Sequence, residues 1–157
     1  MDCTHCQIKE PRALPEKEWF SHKLNRPGLS YEIALHLYKN KVAWINGPFR
    51  AGEADLAIFR KENGLKSKIP PNKLLVADRG YGNEPQISVP NDFDGDDVKA
   101  FKRCARARQE NFNQRVKEFG ILSQTFRSTP DLHGIAFDAV RVIVMFSMEN
   151  GRPLSEL

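Results

Sequence analysis

The chain has 157 residues, 40% of them hydrophobic and 28% charged, enough for one domain of ordinary size around its own core. A net charge of +4 and a pI near 9.0 favour acidic partners such as nucleic acid only mildly. No run of about 18 apolar residues exists, since even Val140–Met148 is short and interrupted by Arg141, which excludes a membrane-spanning helix. Residues 1–20 lack the apolar stretch of a secretory signal, so the chain is not expected to be secreted, and its three cysteines read as free thiols in a reducing compartment.

Residues 3–28 read as irregular, with Pro11, Pro15, Pro27 and Gly28 as breakers. Leu29, Tyr31, Ile33, Leu35 and Leu37 then alternate with polar or small residues, the pattern of a half-buried strand. Lys39-Asn40 is a turn signal, and Val42–Ile45 is the returning strand, ended by Gly47-Pro48. Residues 53–64 fit a helix with an apolar stripe at Leu56, Ile58 and Phe59 and a stop at Asn63-Gly64. Lys73–Ala77 is a short strand apolar on both faces, as strands are when helices cover both sides of a sheet. Gln86–Val89 fits an edge strand. Asp96 or Asp97 can cap the next helix, which runs to about Gly120 with an apolar stripe of Val98, Phe101, Ala105, Phe112, Val116 and Phe119. A last helix over about 131–148 is nearly all apolar, with Met145, Phe146 and Met148 expected in the core. The whole reads as a single domain over 1–157, a mixed sheet flanked by helices.

The chemistry-bearing residues stand on this frame. Asp78 ends a buried strand, Glu110 lies on the basic helix, and Asp2 opens the chain. Two carboxylates about 4 Å apart repel by roughly 4 kcal/mol at an effective dielectric near 20, so three gathered together need a cation or must protonate. Hard divalent ions such as Mg²⁺ accept such oxygens, and a pair of them can serve in-line displacement at phosphorus. On the Glu110 helix, Arg106, Glu110, Asn113 and Lys117 share one face, about 16 Å long. Lys102, Arg103, Arg108 and Arg115 make the same helix strongly basic, which suits phosphate and equally suits a solvated, ion-paired surface. Blander alternatives stand beside this. Cys3-x-x-Cys6 with His5 lacks a second ligand pair for zinc. Asp92–Asp97 fails the spacing of a calcium loop and fits an acidic turn before a helix. His133 fits a core or capping role.

Several blocks occur in order: Asp2-Cys3-Thr4-His5, Phe20-Ser21-His22-Lys23, Leu29-Ser30-Tyr31-Glu32, Trp44–Pro48 with Gly52-x-x-Asp55, Ala77–Tyr81, and Glu110-Asn111-x-Asn113-x-x-x-Lys117. Together, from Asp2 to about Pro153, they resemble the DDE endonuclease domain of transposases, of the Harbinger-like and insertion-sequence type. The resemblance implies a ribonuclease-H-like fold with a five-stranded mixed sheet. It implies a two-metal site of Mg²⁺ or Mn²⁺ held by Asp2, Asp78 and Glu110, which would be the catalytic residues. Arg106, Asn113 and Lys117 would position the glutamate or contact DNA. A separate Myb-like DNA-binding protein is an implied partner, and the setting would be nuclear in a eukaryote and cytoplasmic otherwise. Cys3 stands where the family has glycine, and only Met1 precedes Asp2. The expectation is therefore an N-terminally truncated domain lacking its first central strand, active as a DNA-cleaving enzyme only with that strand restored. Alternatives are a non-catalytic nucleic-acid- or protein-binding remnant, and ribonuclease action on RNA–DNA hybrids.

Overall fold

The computed structural model describes residues 1–11, 16–82 and 84–155. Pro15, one of the predicted breakers, lies outside them. In chain order come β1 (Asp2–Gln7), α1 (Glu16–Trp19), β2 (Phe20–Ser21), β3 (Arg26–Leu35), β4 (Val42–Arg50) and α2 (Asp55–Phe59). After a 3-10 turn (Leu65–Lys68) follow β5 (Leu75–Val76), a second 3-10 turn (Arg79–Tyr81), β6 (Ile87–Ser88), α3 (Asp96–Lys117), α4 (Gly120–Ser123) and α5 (Pro130–Glu149).

β3 is the spine. β1 pairs with it antiparallel from Asp2↔Ile33 to Gln7↔Gly28, and β4 pairs with it antiparallel from Leu29↔Arg50 to Leu35↔Val42. β2 adds two pairs at its start, and β5 and β6 form a separate two-stranded parallel sheet. The Met1 nitrogen, just before β1, donates to the Val76 carbonyl at 2.6 Å, which links the two sheets at the start of β1. This mixed α/β arrangement is compatible with the ribonuclease-H-like expectation. It differs in being two sheets rather than one of five strands, because β5 and β6 each contribute only two residues to pairing.

The largest correction concerns the first strand. Within the stretch expected to be irregular, residues 2–7 form a full strand and Arg26 onward belongs to β3. The segment Asp2-Cys3-Thr4-His5-Cys6-Gln7 has little apolar alternation, yet Cys3, Thr4, His5 and Cys6 are all buried. It is paired along its length with β3 and covered by the α3 and α5 core on the Cys6 face and by Tyr81 on the Cys3 face, a tertiary effect that local pattern does not carry.

The β3–β4 hairpin is present, with two differences. β3 is buried on both faces rather than half-buried. Leu29, Tyr31 and Ile33 pack with Phe112 and Val116 of α3 and with Phe137, Val140 and Val144 of α5. Ala34 packs on the opposite face with Phe59, Leu65, Ala77 and Tyr81. Glu32 is also fully buried, accepting from Trp44 Nε1 at 2.8 Å, and burial pushes its carboxyl above the usual range. β4 does not stop at Gly47-Pro48. The register slips there, Ser30 facing Phe49 and Glu32 facing Asn46, so the pair is absorbed as a bulge and the strand continues to Arg50. Gly47 has φ +142°, and a Cβ on it would lie 2.7 Å from the Tyr31 ring, so no other residue fits that bulge.

α2 is shorter than the predicted 53–64. The chain folds back so tightly that a Cβ on Gly64 would lie 2.5 Å from the Phe59 carbonyl oxygen. β5 is less buried than its sequence suggests: Leu75 and Val76 are only partly buried, and Leu74 before them is 64% exposed. α3 starts as expected, although Gly95 is its cap and Asp96 and Asp97 occupy the first turn, where their charge suits the helix dipole. It ends at Lys117, before Gly120. Of its predicted stripe, Ala105, Phe112 and Val116 are buried, while Val98 is 45% exposed. In α5, capped by Thr129, the residues His133, Phe137, Val140, Val144 and Met148 face inward. Phe146 was expected in the core and is 66% exposed, because it lies on the face opposite Met148 and Val144. Among the described residues no helix is long and apolar enough to cross a membrane.

His133 is fully buried. Its Nδ1 bonds the Tyr31 hydroxyl at 2.6 Å, and Tyr31 stacks on Phe137 with ring centroids 3.8 Å apart. It is a core histidine, and burial lowers its pKa from 6.5 to about 4. Protonation therefore favours the unfolded chain. The stabilisation is complete above pH 6.5 and is lost as pH falls from 6.5 towards 4. We expect urea unfolding to show a loss on the order of 2 kcal/mol over that window, after allowing for solvent screening. A His133→Asn variant should be less stable at neutral pH and lack this slope. An unchanged slope in the variant would assign the pH dependence to other groups.

Candidate metal and nucleic-acid site

Asp2, Asp78 and Glu110 reach one cavity from three directions. Asp2 starts β1, on the same face of that strand as Cys6, which packs against α3. Asp78 follows β5 directly after the buried Ala77. It caps the second 3-10 turn by accepting the Gly80 N–H at 3.0 Å. A Cβ on Gly80 would lie 3.1 Å from that same Asp78 oxygen, so glycine there lets the turn close onto the carboxylate. Glu110 is exposed midway along α3. All three, with Arg106, line a cavity of about 260 Å³. They also line an adjoining trough of about 380 Å³ that extends past Lys23 and Asn113 to Lys117. Among the described residues no three His, Cys, Asp or Glu side chains stand close enough to hold an ion as they are.

The site fits a divalent cation in its donor chemistry. Its acidic groups are carboxylates, the hard oxygen donors that Mg²⁺ and Mn²⁺ take. Burial pushes the Asp2 carboxyl above the usual range; Lys23 opposes this, and the Asp55 and Asp78 carboxylates add to it. A divalent ion would relieve that like-charge repulsion. Asn113 is buried and donates from Nδ2 to Asp2 Oδ2 at 3.0 Å, while its own Oδ1 accepts from Gln109 Nε2 at 3.4 Å. The structure thus spends the Asn113 amide on Asp2.

The basic helix divides into two sets. Lys102 is buried and donates to the Val89 carbonyl at 2.7 Å and to Asp94 at 2.8 Å. Arg108 clasps the carbonyls of Ser155 and Lys39, and Arg115 clasps those of Arg152 and Pro153. These three hold loops and the C-terminal segment against α3. Arg103 and Arg106 are exposed, and Arg106 and Lys117 stand at opposite ends of the acidic pocket. The predicted shared face of Arg106, Glu110, Asn113 and Lys117 is present.

Beside Asp2 stands a further cluster, of Lys23, Asp55, His5 and Ser21, to which the sequence assigns no role. Lys23 Nζ lies 2.9 Å from Asp55 Oδ2, 3.1 Å from the Cys3 carbonyl and 3.7 Å from Asp2 Oδ1. Burial works against its charge, and the Asp2 and Asp55 carboxylates outweigh burial, leaving its pKa above the usual value. Behind Asp55, His5 Nε2 is 3.8 Å from Oδ1, and His5 Nδ1 bonds Ser21 Oγ at 2.6 Å. The order Ser–His–Asp is that of a nucleophilic triad, but Ser21 is 0% exposed and its Oγ accepts the Leu24 N–H. No substrate reaches it. The signal available in the sequence was the spacing of His5, Lys23 and Asp55 among the ordered blocks, which marks them without saying that they meet.

The blander motifs resolve by geometry. Cys3 Sγ lies 3.4 Å from the Tyr81 hydroxyl on one face of β1, and Cys6 packs into the α3 and α5 core on the other. Alternation along a strand keeps the two sulfurs apart. Both are free thiols, and burial pushes Cys6 up to about 12 and Cys3 higher still. Asp94 accepts from the Asn91 N–H and pairs with Lys102, which makes the acidic run a turn pinned to α3.

No curated protein and no solved structure matches the chain. The sequence profile described as DDE superfamily endonuclease matches residues 1–145. That match contains Asp2, Asp78 and Glu110 and every element lining the acidic pocket. The chain belongs to the DDE superfamily endonuclease family.

Proposed function

We propose that this transposase-type endonuclease domain cleaves, and in strand transfer rejoins, DNA phosphodiesters with two Mg²⁺ or Mn²⁺ ions, on a ribonuclease-H-like scaffold. The observation that carries this reading is the joint lining of one pocket by Asp2, Asp78 and Glu110, delivered by β1, the end of β5 and α3. Bound there, divalent cations would activate the attacking hydroxyl and stabilise the leaving oxygen. The chain's own residues prepare the place. Asp2 is oriented by Asn113, Asp78 is locked by its cap onto Gly80, and Glu110 stands on an exposed helix face. Arg106 and Lys117 flank the carboxylates and suit phosphates on either side of the scissile bond, contacts that set affinity and register without reading sequence. The family match extends to no Myb-like partner, and none is proposed.

Calorimetric titration with Mn²⁺ tests the site directly. The parent chain should bind with measurable heat, and Asp78→Ala should weaken binding at least about tenfold. Equal binding by both would remove the assignment. A second reading, a nucleic-acid-binding remnant without chemistry, is favoured by one observation: the described carboxylates are not already gathered into an ion-holding set. It expects salt-sensitive DNA binding that ignores EDTA, and no cleavage under any divalent ion.

A further inference from the structure

A fixed positive charge beside a metal ligand opposes the metal, and Lys23 stands beside Asp2. Lys23 is 46% exposed, yet its ammonium is anchored. Its ammonium donates to Asp55 Oδ2 at 2.9 Å and to the Cys3 carbonyl at 3.1 Å, and the Cys3 carbonyl belongs to the backbone of β1 next to Asp2 itself. With two partners fixed, Nζ is held 3.7 Å from Asp2 Oδ1, at the edge of the trough that Asp78 and Glu110 also line. Asp55 sits in the first turn of α2 and keeps the ammonium from leaving. We propose that Lys23 is a positioning residue of the ion site, holding the Asp2 carboxylate in the ion-free protein and competing with a divalent cation for it.

The proposal rests on the reading of Asp2 as an ion ligand. Two consequences follow from charge alone. In the empty pocket Lys23 offsets the mutual repulsion of the carboxylates, so its loss destabilises the ion-free protein. In the filled pocket it stands close to a doubly charged ion, so its loss tightens ion binding. A merely structural lysine gives the first effect without the second. Substrate phosphates would restore the balance, because they place negative charge beside the same ammonium. The pocket would then hold its ions best when nucleic acid is present.

The test is Mn²⁺ titration of the full chain by calorimetry and by thermal melting, with Lys23→Met, Lys23→Arg and Asp78→Ala alongside. Lys23→Met should bind Mn²⁺ more tightly, on the order of tenfold, and should melt below the parent in EDTA, with the gap narrowing as Mn²⁺ is added. Lys23→Arg keeps the charge and should bind as the parent does. Unchanged or weaker binding by Lys23→Met overturns the proposal, as does tightening by Lys23→Arg to the same degree. Should Lys23→Met not fold, Lys23→Gln removes the charge and keeps a polar end for Asp55; tighter Mn²⁺ binding there supports the proposal, and unchanged affinity overturns it. Failure of the underlying site reading is distinct, since it appears as equal binding by the parent and Asp78→Ala.

Discussion

Asp78→Asn should reduce Mg²⁺-dependent DNA cleavage on the order of 10³-fold while leaving the fold intact. The substitution changes one atom. Asparagine keeps a carbonyl oxygen that can accept the Gly80 N–H, so the cap at the second 3-10 turn survives. What disappears is one negative charge and one hard oxygen donor in a pocket where three carboxylates must share the cations. Plasmid nicking under Mg²⁺ or Mn²⁺ reads the effect, and urea unfolding confirms unchanged stability. Cleavage by the variant within tenfold of the parent would move the catalytic centre away from Asp78. No cleavage by the parent with either ion would favour the binding-remnant reading instead.

What the sequence shows here and what it hides follow from different physics. Asp78 and Glu110 were readable because each sits on an element with a clear local signature: an apolar strand with a glycine turn after it, and a long helix whose polar residues recur on one face. β1 was not readable. Its residues carry no period, and their burial depends on β3 beside it and on the α3 and α5 core and Tyr81 packed over its two faces. The same limit applies to β3, where Ser30 and Glu32 alternate as a solvated face would and yet are fully buried under α2 and the first 3-10 turn. Local alternation reports chemistry, and a second layer can cover a polar face when partners such as Trp44 are supplied.

The basic helix shows a related limit. Lys102, Arg103, Arg106, Arg108, Arg115 and Lys117 look equivalent as a charge count. Three of them are consumed by backbone carbonyls and Asp94, and Arg108 in particular is buried while joining the Lys39 loop to the C-terminal segment. Guanidinium groups satisfy several carbonyls at once, so an arginine on a helix flank is as suited to clasping loops as to meeting phosphate. Only position relative to the carboxylates separates Arg106 and Lys117 from the rest.

Phe112→Ala should cost about 3–5 kcal/mol of stability, lowering the melting temperature by roughly 10 °C for a domain of this size. Phe112 is fully buried and belongs to the cluster joining α3 to β3 and α5. It is also next to Asn113, which holds Asp2, and two residues after Glu110, so the side chain that anchors the helix also sets the angle at which its polar face meets the pocket. The cavity left by the phenyl group would let α3 shift, and Mn²⁺ affinity should fall even under conditions where the variant is fully folded. Val98→Ala is the control. It removes a residue of the same predicted stripe, but one that is 45% exposed and far from the pocket along the helix, and it should change stability by no more than about 0.5 kcal/mol. Urea unfolding and Mn²⁺ calorimetry on both variants check the pair. A Phe112→Ala variant within about 1 kcal/mol of the parent would mean that α3 is held chiefly by the Lys102, Arg108 and Arg115 clasps rather than by its apolar face.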